Sequence, residues 1–263
     1  MCRHLGYLGS PRAPAELIFG APHSLLRQSY APADMRGGGT VNADGFGLGW
    51  YDETGEPVRY RRPTPMWADE TLPPLAASVK SGAFIAAARN GTPGMPVSEG
   101  ACAPFVDGHW LFSHNGVVLG WPESVVALAG KLPVTELLTL EAPTDSALLW
   151  ALLRDRLRAG EDPLAAVTDL VAAVERAAPG SRLNLLLTDG EVMIATAWTH
   201  SLSVLAVDGS VVIASEPYDS EPGWVPVPER HAVRVEHGQY EFFEIQQSLE
   251  IQYGNEDRSA TAS

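Results

Sequence analysis

A cysteine follows the initiator methionine directly in the opening segment MCRHLGYLG, residues 1–9. Enzymatic removal of Met1, which a small second residue such as cysteine permits, gives Cys2 a free α-amino group beside its thiol. Such an amine titrates near ~7.7–8.0 and a free thiol near ~8.5, so a proton can pass between them at neutral pH. We therefore predict that Cys2 is a nucleophile with its own amine as the base, against the alternative that its position is incidental.

The segment SHNG, residues 113–116, follows an apolar and aromatic run. An oxyanion formed by attack on an amide needs rigid hydrogen-bond donors, and the Asn115 carboxamide and Gly116 backbone N–H are suitable donors. Asn-Gly is also a common hairpin turn, which is the alternative interpretation.

Two charged residues complete a candidate site. Arg89 closes the strand-like run FIAAARNG, residues 84–91, and Asp145 lies at the start of a helical pattern. A guanidinium binds a carboxylate through its planar fork, and a carboxylate attracts an ammonium group. Together they would select an amino-acid head group and leave its side-chain carbonyl for Cys2. The alternative for Asp145 is a helix N-cap.

The other chemically interesting residues favour structural roles. The seven histidines show no HxH or HExxH spacing and the two cysteines form no CxxC pair, so we predict no metal site and no cofactor. Cys102 is predicted to be an apolar filler. Trp67 follows a proline-rich segment, and we predict that its ring stacks on a quaternary ammonium group if the substrate carries one.

Composition limits the partners. The 263-residue chain carries a formal net charge of -14, which disfavours nucleic acids and anionic membrane surfaces. No apolar run is long enough for a membrane helix, and the N-terminus lacks a secretory h-region, so we expect a cytoplasmic protein. The expected partner is a small molecule. The sequence leaves formation of a homo-oligomer open.

The pattern of elements predicts an α+β fold. Strand-like runs come first, from DGFGLGWYD (44–52) to HWLFSHNG (109–116), with a predicted helix at 69–81. Two amphipathic helices are predicted at 144–160 and 162–180, and five further strands follow. This order predicts two antiparallel sheets covered by helices rather than a parallel βαβ fold. We expect one domain over residues 1–253 and a disordered tail over 254–263.

Several motifs occur in the order found in a known family. MCRHLGYLG, HSLLRQSY (23–30), NADGFGLGWYD (42–52), FSHNG (112–116), TDS (144–146) and ASEPYD (214–219) together resemble the class II glutamine amidotransferases, which are N-terminal nucleophile enzymes. The resemblance implies an αββα sandwich of the Ntn-hydrolase type. It also implies Cys2 as nucleophile, Asn115 and Gly116 as oxyanion donors, Arg89 as ligand of the α-carboxylate and Asp145 as ligand of the α-amine.

The same resemblance leaves the reaction open. No synthetase, isomerase or phosphoribosyl domain is expected in this chain, so it would either hydrolyse a γ-glutamyl amide itself or supply ammonia to a separate synthase. A catalytically inactive sensor of γ-glutamyl metabolites is a third alternative. Where many relatives have a histidine and an NCHPF-like segment, this chain has Ala87 and ACAPF, residues 101–105. These differences predict a reshaped pocket and a substrate other than plain glutamine.

Overall fold

Two antiparallel sheets form the centre of the protein. The computed structural model describes residues 2–35 and 41–246; the predicted tail at 254–263 and the last residues of the predicted domain lie outside this part. The strands are β1 (Arg3–Arg12), β2 (Gly45–Tyr51), β3 (Pro57–Arg62), β4 (Ser81–Arg89), β5 (Phe105–Asp107), β6 (Trp110–Val117), β7 (Arg182–Thr188), β8 (Val192–Ala197), β9 (Ser203–Val207), β10 (Ser210–Ala214), β11 (Val225–Pro226), β12 (His231–Glu236) and β13 (Gln239–Glu244).

The strand order places β1 at the middle of the larger sheet. Seven strands follow the order β11-β9-β10-β1-β4-β2-β3, and six form the other sheet in the order β13-β12-β8-β7-β6-β5. Apolar side chains from the facing sides of both sheets, including Ile85, Leu186 and Ile213, pack into one buried cluster. This cluster joins the two sheets face to face, as in a β-sandwich.

Helices cover both outer faces of the sandwich. The helices are α1 (Leu25–Tyr30), α2 (Leu72–Ser78), α3 (Val126–Ala129), α4 (Val134–Leu138), α5 (Asp145–Arg158) and α6 (Pro163–Ala177), with short helical turns at Glu16–Gly20, Met66–Ala68, Glu99–Ala101 and Glu123–Val125. Helices α5 and α6 pack on the six-stranded sheet through residues such as Trp150 and Val171. Leu25 of α1 and Leu72 of α2 pack on the seven-stranded sheet. The predicted αββα sandwich is therefore confirmed.

The structure corrects two local predictions. The helix expected over 69–81 spans only Leu72–Ser78, because Asp69 accepts the backbone N–H groups of Thr71 and Leu72 before the helix begins. Residues from Ser81 onwards already pair with β1. The alternative of a hairpin turn at Asn115-Gly116 is wrong, since β6 continues to Val117 and both residues pair with β7.

Among the described residues, no helix combines the length and the apolar composition needed to cross a membrane.

Candidate active site

Strands β1 and β4 bring Cys2 and Arg89 together. In the antiparallel pairing Arg3 lies opposite Ala88, so Cys2, just before β1, lies next to Arg89 at the end of β4. The Cys2 thiol is 3.7 Å from the backbone oxygen of Asn90. Cys2 is partly exposed, whereas the Arg89 side chain is buried. The candidate nucleophile and the candidate carboxylate ligand therefore share one end of the central strands.

A narrow cavity lies between these two residues. Its walls consist of Cys2, Phe46, Ala87, Ala88, Arg89, Ala101, Ala103, Phe105, His114 and Ser146. The three alanines at 87, 101 and 103 come from the segments where the sequence departs from the family pattern. The free volume is about 20 Å³, which is room for one water molecule. A larger group must displace part of this wall to bind.

The Arg89 guanidinium is held close to the backbone. Its Nη1 lies 3.4 Å from the Asp44 backbone oxygen, and a Cβ added at Gly91 would lie 3.0 Å from its Nη2. The Asp44 carboxylate meanwhile accepts the backbone N–H of Gly91 at 2.8 Å. A guanidinium has five N–H donors, so this long contact to Asp44 leaves the planar fork able to bind a carboxylate.

Asn115 links the two sheets beside Cys2. Its Nδ2 donates to the Ser215 hydroxyl at 3.0 Å, and that hydroxyl accepts the backbone N–H of His4 at 2.9 Å. Asn115 is fully buried within β6. Since His4 is two residues from Cys2, this chain of hydrogen bonds fixes the carboxamide near the start of β1.

Gly116 allows a close approach of two strands. A Cβ at this position would lie 1.8 Å from the Arg182 backbone oxygen and 2.5 Å from His114 Nε2. Real Cβ atoms do not approach so closely, so only glycine fits here without movement of the backbone.

Asp145 is the first residue of α5, but it is not the N-cap. The cap is Thr144, whose hydroxyl accepts the backbone N–H of Ala147. The Asp145 carboxylate accepts the N–H of Val118 through Oδ2 at 3.0 Å and the N–H of Ser146 through Oδ1 at 2.7 Å. The carboxylate thus ties the end of β6 to the start of α5.

Trp67 and Cys102 lie away from these contacts. Trp67 is 44% exposed and packs edge-on against Tyr30, with ring centroids 5.8 Å apart. It does not line the Cys2 cavity. Cys102 is fully buried, and burial raises the pKa of its thiol to about 11. A thiol with such a raised pKa is a poor nucleophile at neutral pH.

Sequence reasoning missed a buried ion pair next to Cys2. Arg3 Nη1 donates to the Cys2 backbone oxygen at 3.0 Å, and Arg3 Nη2 lies 2.8 Å from Glu216 Oε1. The other Glu216 oxygen lies 2.7 Å from His23 Nε2. The available signals were an arginine at the start of an apolar strand and a glutamate in the motif ASEPYD.

A second and larger cavity adjoins this ion pair. Its volume is about 800 Å³. The lining includes Ser215 and Glu216, which connect it to Asn115 and Arg3, together with the acidic residues Asp34 and Glu229. Because Glu216 is already paired with Arg3 and His23, the carboxylates of Asp34 and Glu229 are the lining groups that favour a cationic ligand. Within residues 2–35 and 41–246, no cluster of three His, Cys, Asp or Glu side chains could hold a metal ion.

The fold and these motifs define an amidotransferase-type sandwich. The chain belongs to the class II glutamine amidotransferases: the family model described as "Glutamine amidotransferases class-II" matches residues 24–219.

Among curated proteins, the chain is 43% identical over 235 residues to the Gamma-glutamyl-hercynylcysteine sulfoxide hydrolase of Mycolicibacterium smegmatis, covering 89% of this chain and 96% of the relative.

Solved structures show the same fold. The class-II domain protein from Silicibacter pomeroyi, described as a glutamine aminotransferase, superimposes with a TM-score of 0.67 at 22% identity, covering 93% of this chain and 100% of that chain. The glutamine phosphoribosylpyrophosphate amidotransferase from B. subtilis gives a TM-score of 0.66 at 15% identity, covering 94% of this chain and 50% of that chain.

Proposed function

We propose that this protein is an amidohydrolase that releases glutamate from γ-glutamyl-hercynylcysteine sulfoxide, a step of ergothioneine biosynthesis. The observation that carries the proposal is the placement of Cys2 beside the buried Arg89, across paired strands and in the wall of one cavity. The name and the 43% identity of the mycobacterial relative support this choice of substrate.

The reaction proceeds in two covalent steps. The Cys2 α-amine takes the thiol proton, and the thiolate attacks the γ-carbonyl carbon of the glutamyl group. The C–N bond breaks, the ammonium form of the amine protonates the leaving nitrogen, and a γ-glutamyl thioester remains on Cys2. Water then gives a proton to the amine and attacks the thioester, which releases glutamate and restores the thiol. This chemistry requires removal of Met1, a residue outside the described part.

Asn115 and Gly116 are the proposed oxyanion donors. A carboxamide has two N–H groups, and the contact with Ser215 uses one of them. The rigid attachment of Asn115 to Ser215 and His4 supports this role, because donors that need no reorganisation stabilise a transition state best.

The leaving group is proposed to enter the larger cavity. Its quaternary ammonium is cationic, and the lining carries the carboxylates of Asp34 and Glu229 in addition to the ion-paired Glu216. Ser215 borders this cavity and accepts a hydrogen bond from Asn115, so the cavity reaches the hydroxyl that holds the proposed oxyanion donor. Trp67 lines neither cavity, so the stacking on the ammonium that the sequence predicted is an alternative to this placement.

Trapping the thioester tests the mechanism. Hydroxylamine added during turnover should divert the acyl group and yield γ-glutamyl hydroxamate, detectable by mass spectrometry. The matched control is Cys2→Ser, which keeps the α-amine and changes the nucleophile from sulfur to oxygen. Glutamate release without any hydroxamate, or equal turnover by the serine variant, would contradict a thioester on Cys2.

A further inference from the structure

The Cys2 backbone lies just outside the paired part of β1. Strand pairing starts at the next residue, where Arg3 lies opposite Ala88. Once Met1 is removed, as the proposed function requires, Cys2 is the first residue of the chain. Terminal residues are poorly ordered unless specific contacts tie them down. A nucleophile that must present both its thiol and its amine to one substrate therefore needs such contacts.

Two described contacts hold Cys2. The Arg3 Nη1 donates to the Cys2 backbone oxygen at 3.0 Å, and the Cys2 thiol lies 3.7 Å from the Asn90 backbone oxygen. The first contact fixes the peptide plane that includes the Cys2 Cα, because the peptide bond is planar. The α-amine can then move only by rotation about the Cα–C bond, and the thiol contact with Asn90 limits that rotation.

The Arg3 guanidinium is itself held by distant parts of the chain. It is fully buried, its Nη2 lies 2.8 Å from Glu216 Oε1, and the same nitrogen donates to the Asp34 backbone oxygen. The other carboxylate oxygen of Glu216 lies 2.7 Å from His23 Nε2 and accepts the backbone N–H of Ala33 at 2.8 Å. A buried ion pair adds little net stability, because desolvation offsets the attraction. The main consequence of these contacts is a guanidinium in a fixed position.

We propose that Arg3 is a positioning residue that holds the Cys2 backbone, so that the thiol and the α-amine keep the orientation needed for attack on the γ-carbonyl. The inference rests on the proposed function of Cys2. Arg3 does not line the Cys2 cavity, so it acts on the reaction only through Cys2. A lysine at this position keeps the charge that pairs with Glu216. It has one nitrogen in place of two, however, so it cannot also donate to the Cys2 oxygen from the second position.

The test compares a directed and an undirected alkylating reagent on the Cys2 thiol. The directed reagent is glutamyl chloromethyl ketone, which carries the substrate head group, and the undirected reagent is iodoacetamide. Arg3→Lys should slow labelling by the chloromethyl ketone by about 10- to 100-fold, the usual effect of losing a hydrogen bond from a charged group. Iodoacetamide labelling should change less than about threefold, because it depends on the exposed thiolate rather than on alignment. Mass spectrometry of the N-terminal peptide measures both rates. An equal change with both reagents, or no change with either, would overturn the inference.

Turnover separates this inference from the proposed function. With γ-glutamyl-hercynylcysteine sulfoxide, Arg3→Lys should lower kcat by about 10- to 100-fold and leave KM within about threefold, since Arg89 still binds the carboxylate. If the labelling rates differ as expected but the wild type does not hydrolyse this substrate, the proposed function fails and the inference stands. A raised KM with an unchanged kcat would overturn the inference. It would also be overturned if L-glutamate did not slow labelling of the wild type by the chloromethyl ketone.

Two further variants distinguish positioning from a general change in folding. Arg3→Met combined with Glu216→Gln removes both buried charges together, so neither is left uncompensated. This double variant should show the same slow labelling by the chloromethyl ketone as Arg3→Lys, and labelling at the wild-type rate would overturn the inference. The matched control is Arg154→Lys, because Arg154 is a half-buried arginine of α5 that contacts Glu136 through Nε and Nη2 and does not line the cavity. It should leave both labelling rates and kcat unchanged, and slowing equal to that of Arg3→Lys would overturn the specific role of Arg3.

Discussion

The Arg89 guanidinium is the most specific feature of the site at the scale of single residues. It is 8% exposed, and it lies beside a thiol at the end of an otherwise apolar strand. Burying a guanidinium costs free energy of folding unless an anionic group compensates its charge. Among the described contacts, Arg89 meets the Asp44 backbone oxygen and no carboxylate. The substrate α-carboxylate is therefore its proposed partner.

Replacement of Arg89 by lysine should raise KM more than it lowers kcat. Lysine keeps the charge and loses the planar fork that binds both carboxylate oxygens. We expect kcat/KM for the γ-glutamyl substrate to fall by about 10- to 100-fold, measured from initial rates of glutamate release. An unchanged KM would exclude Arg89 as the carboxylate ligand.

Asn115→Ala should mainly lower kcat. Loss of one oxyanion donor typically reduces kcat by about 10²- to 10³-fold. The control is Ser215→Ala, which removes the hydroxyl that holds the carboxamide but leaves both of its N–H groups. We expect Ser215→Ala to lose less kcat than Asn115→Ala, because the hydrogen-bond donor itself is still present. Steady-state kinetics of both variants measure the difference. A lower kcat for Ser215→Ala than for Asn115→Ala would contradict the assignment of Asn115 as an oxyanion donor.

At the scale of elements, the close packing of β6 against β7 fixes the positions of Asn115 and Gly116. Gly116→Ala would place its methyl group against the Arg182 backbone oxygen, so strand separation or displacement of His114 must follow. We expect a loss of about 1–3 kcal/mol in the free energy of unfolding, measured by urea denaturation. Gly20→Ala is the control, because the nearest atom to its new Cβ is 3.9 Å away. Equal stability of the two variants would exclude the steric account.

Local sequence pattern predicted the long helices well. The periodic apolar residues of 144–160 and 162–180 correspond to α5 and α6, and Thr144 and Asp162 cap them through their side chains. The helix at 69–81 was predicted too long, since periodicity does not reveal that Ser81 pairs with a distant strand. The Asn-Gly pair favours a turn locally, and only its pairing with β7 shows that the strand continues.

The candidate site was predictable in part, through motif order. Cys2, just before β1, lies next to Arg89 at the end of β4, so the pairing of these two strands brings the two predicted site residues together. The contact between Arg3 and Glu216 joins residues far apart in the chain, so no local pattern could indicate it. The same holds for the hydrogen bond between His114 and Ser146. Both contacts depend on how the sheets and α5 pack.

For the whole molecule, buried polar contacts between the sheets link stability to pH. Burial, reinforced by electrostatic repulsion from His114, His200 and Arg3, lowers the pKa of His4 from 6.5 to about 3. His4 therefore stays neutral in the folded protein but takes up a proton in the unfolded chain below about pH 6.5. Its contribution to stability is complete above that pH and is lost as the pH falls towards about 3.

His4→Gln should flatten this dependence. Between about pH 7.5 and about pH 4.5, we expect the wild type to lose about 2–3 kcal/mol more unfolding free energy than the variant. Urea denaturation at both pH values measures the difference. The variant also loses the contact with the Ser113 hydroxyl, but that loss is the same at both pH values. Parallel pH dependences of the two proteins would contradict a neutral, buried His4.

The acidic cavity and the Cys2 cavity together predict the substrate preference of the whole protein. With Met1 removal verified by mass spectrometry, glutamate release should be measured from γ-glutamyl-hercynylcysteine sulfoxide and from glutamine, with Cys2→Ala as the control. We expect preferential release from the larger substrate and none from the variant, which should retain the wild-type circular dichroism spectrum. Release from glutamine alone would instead favour an ammonia donor. Turnover by Cys2→Ala, or none by the wild type, would contradict catalysis through Cys2.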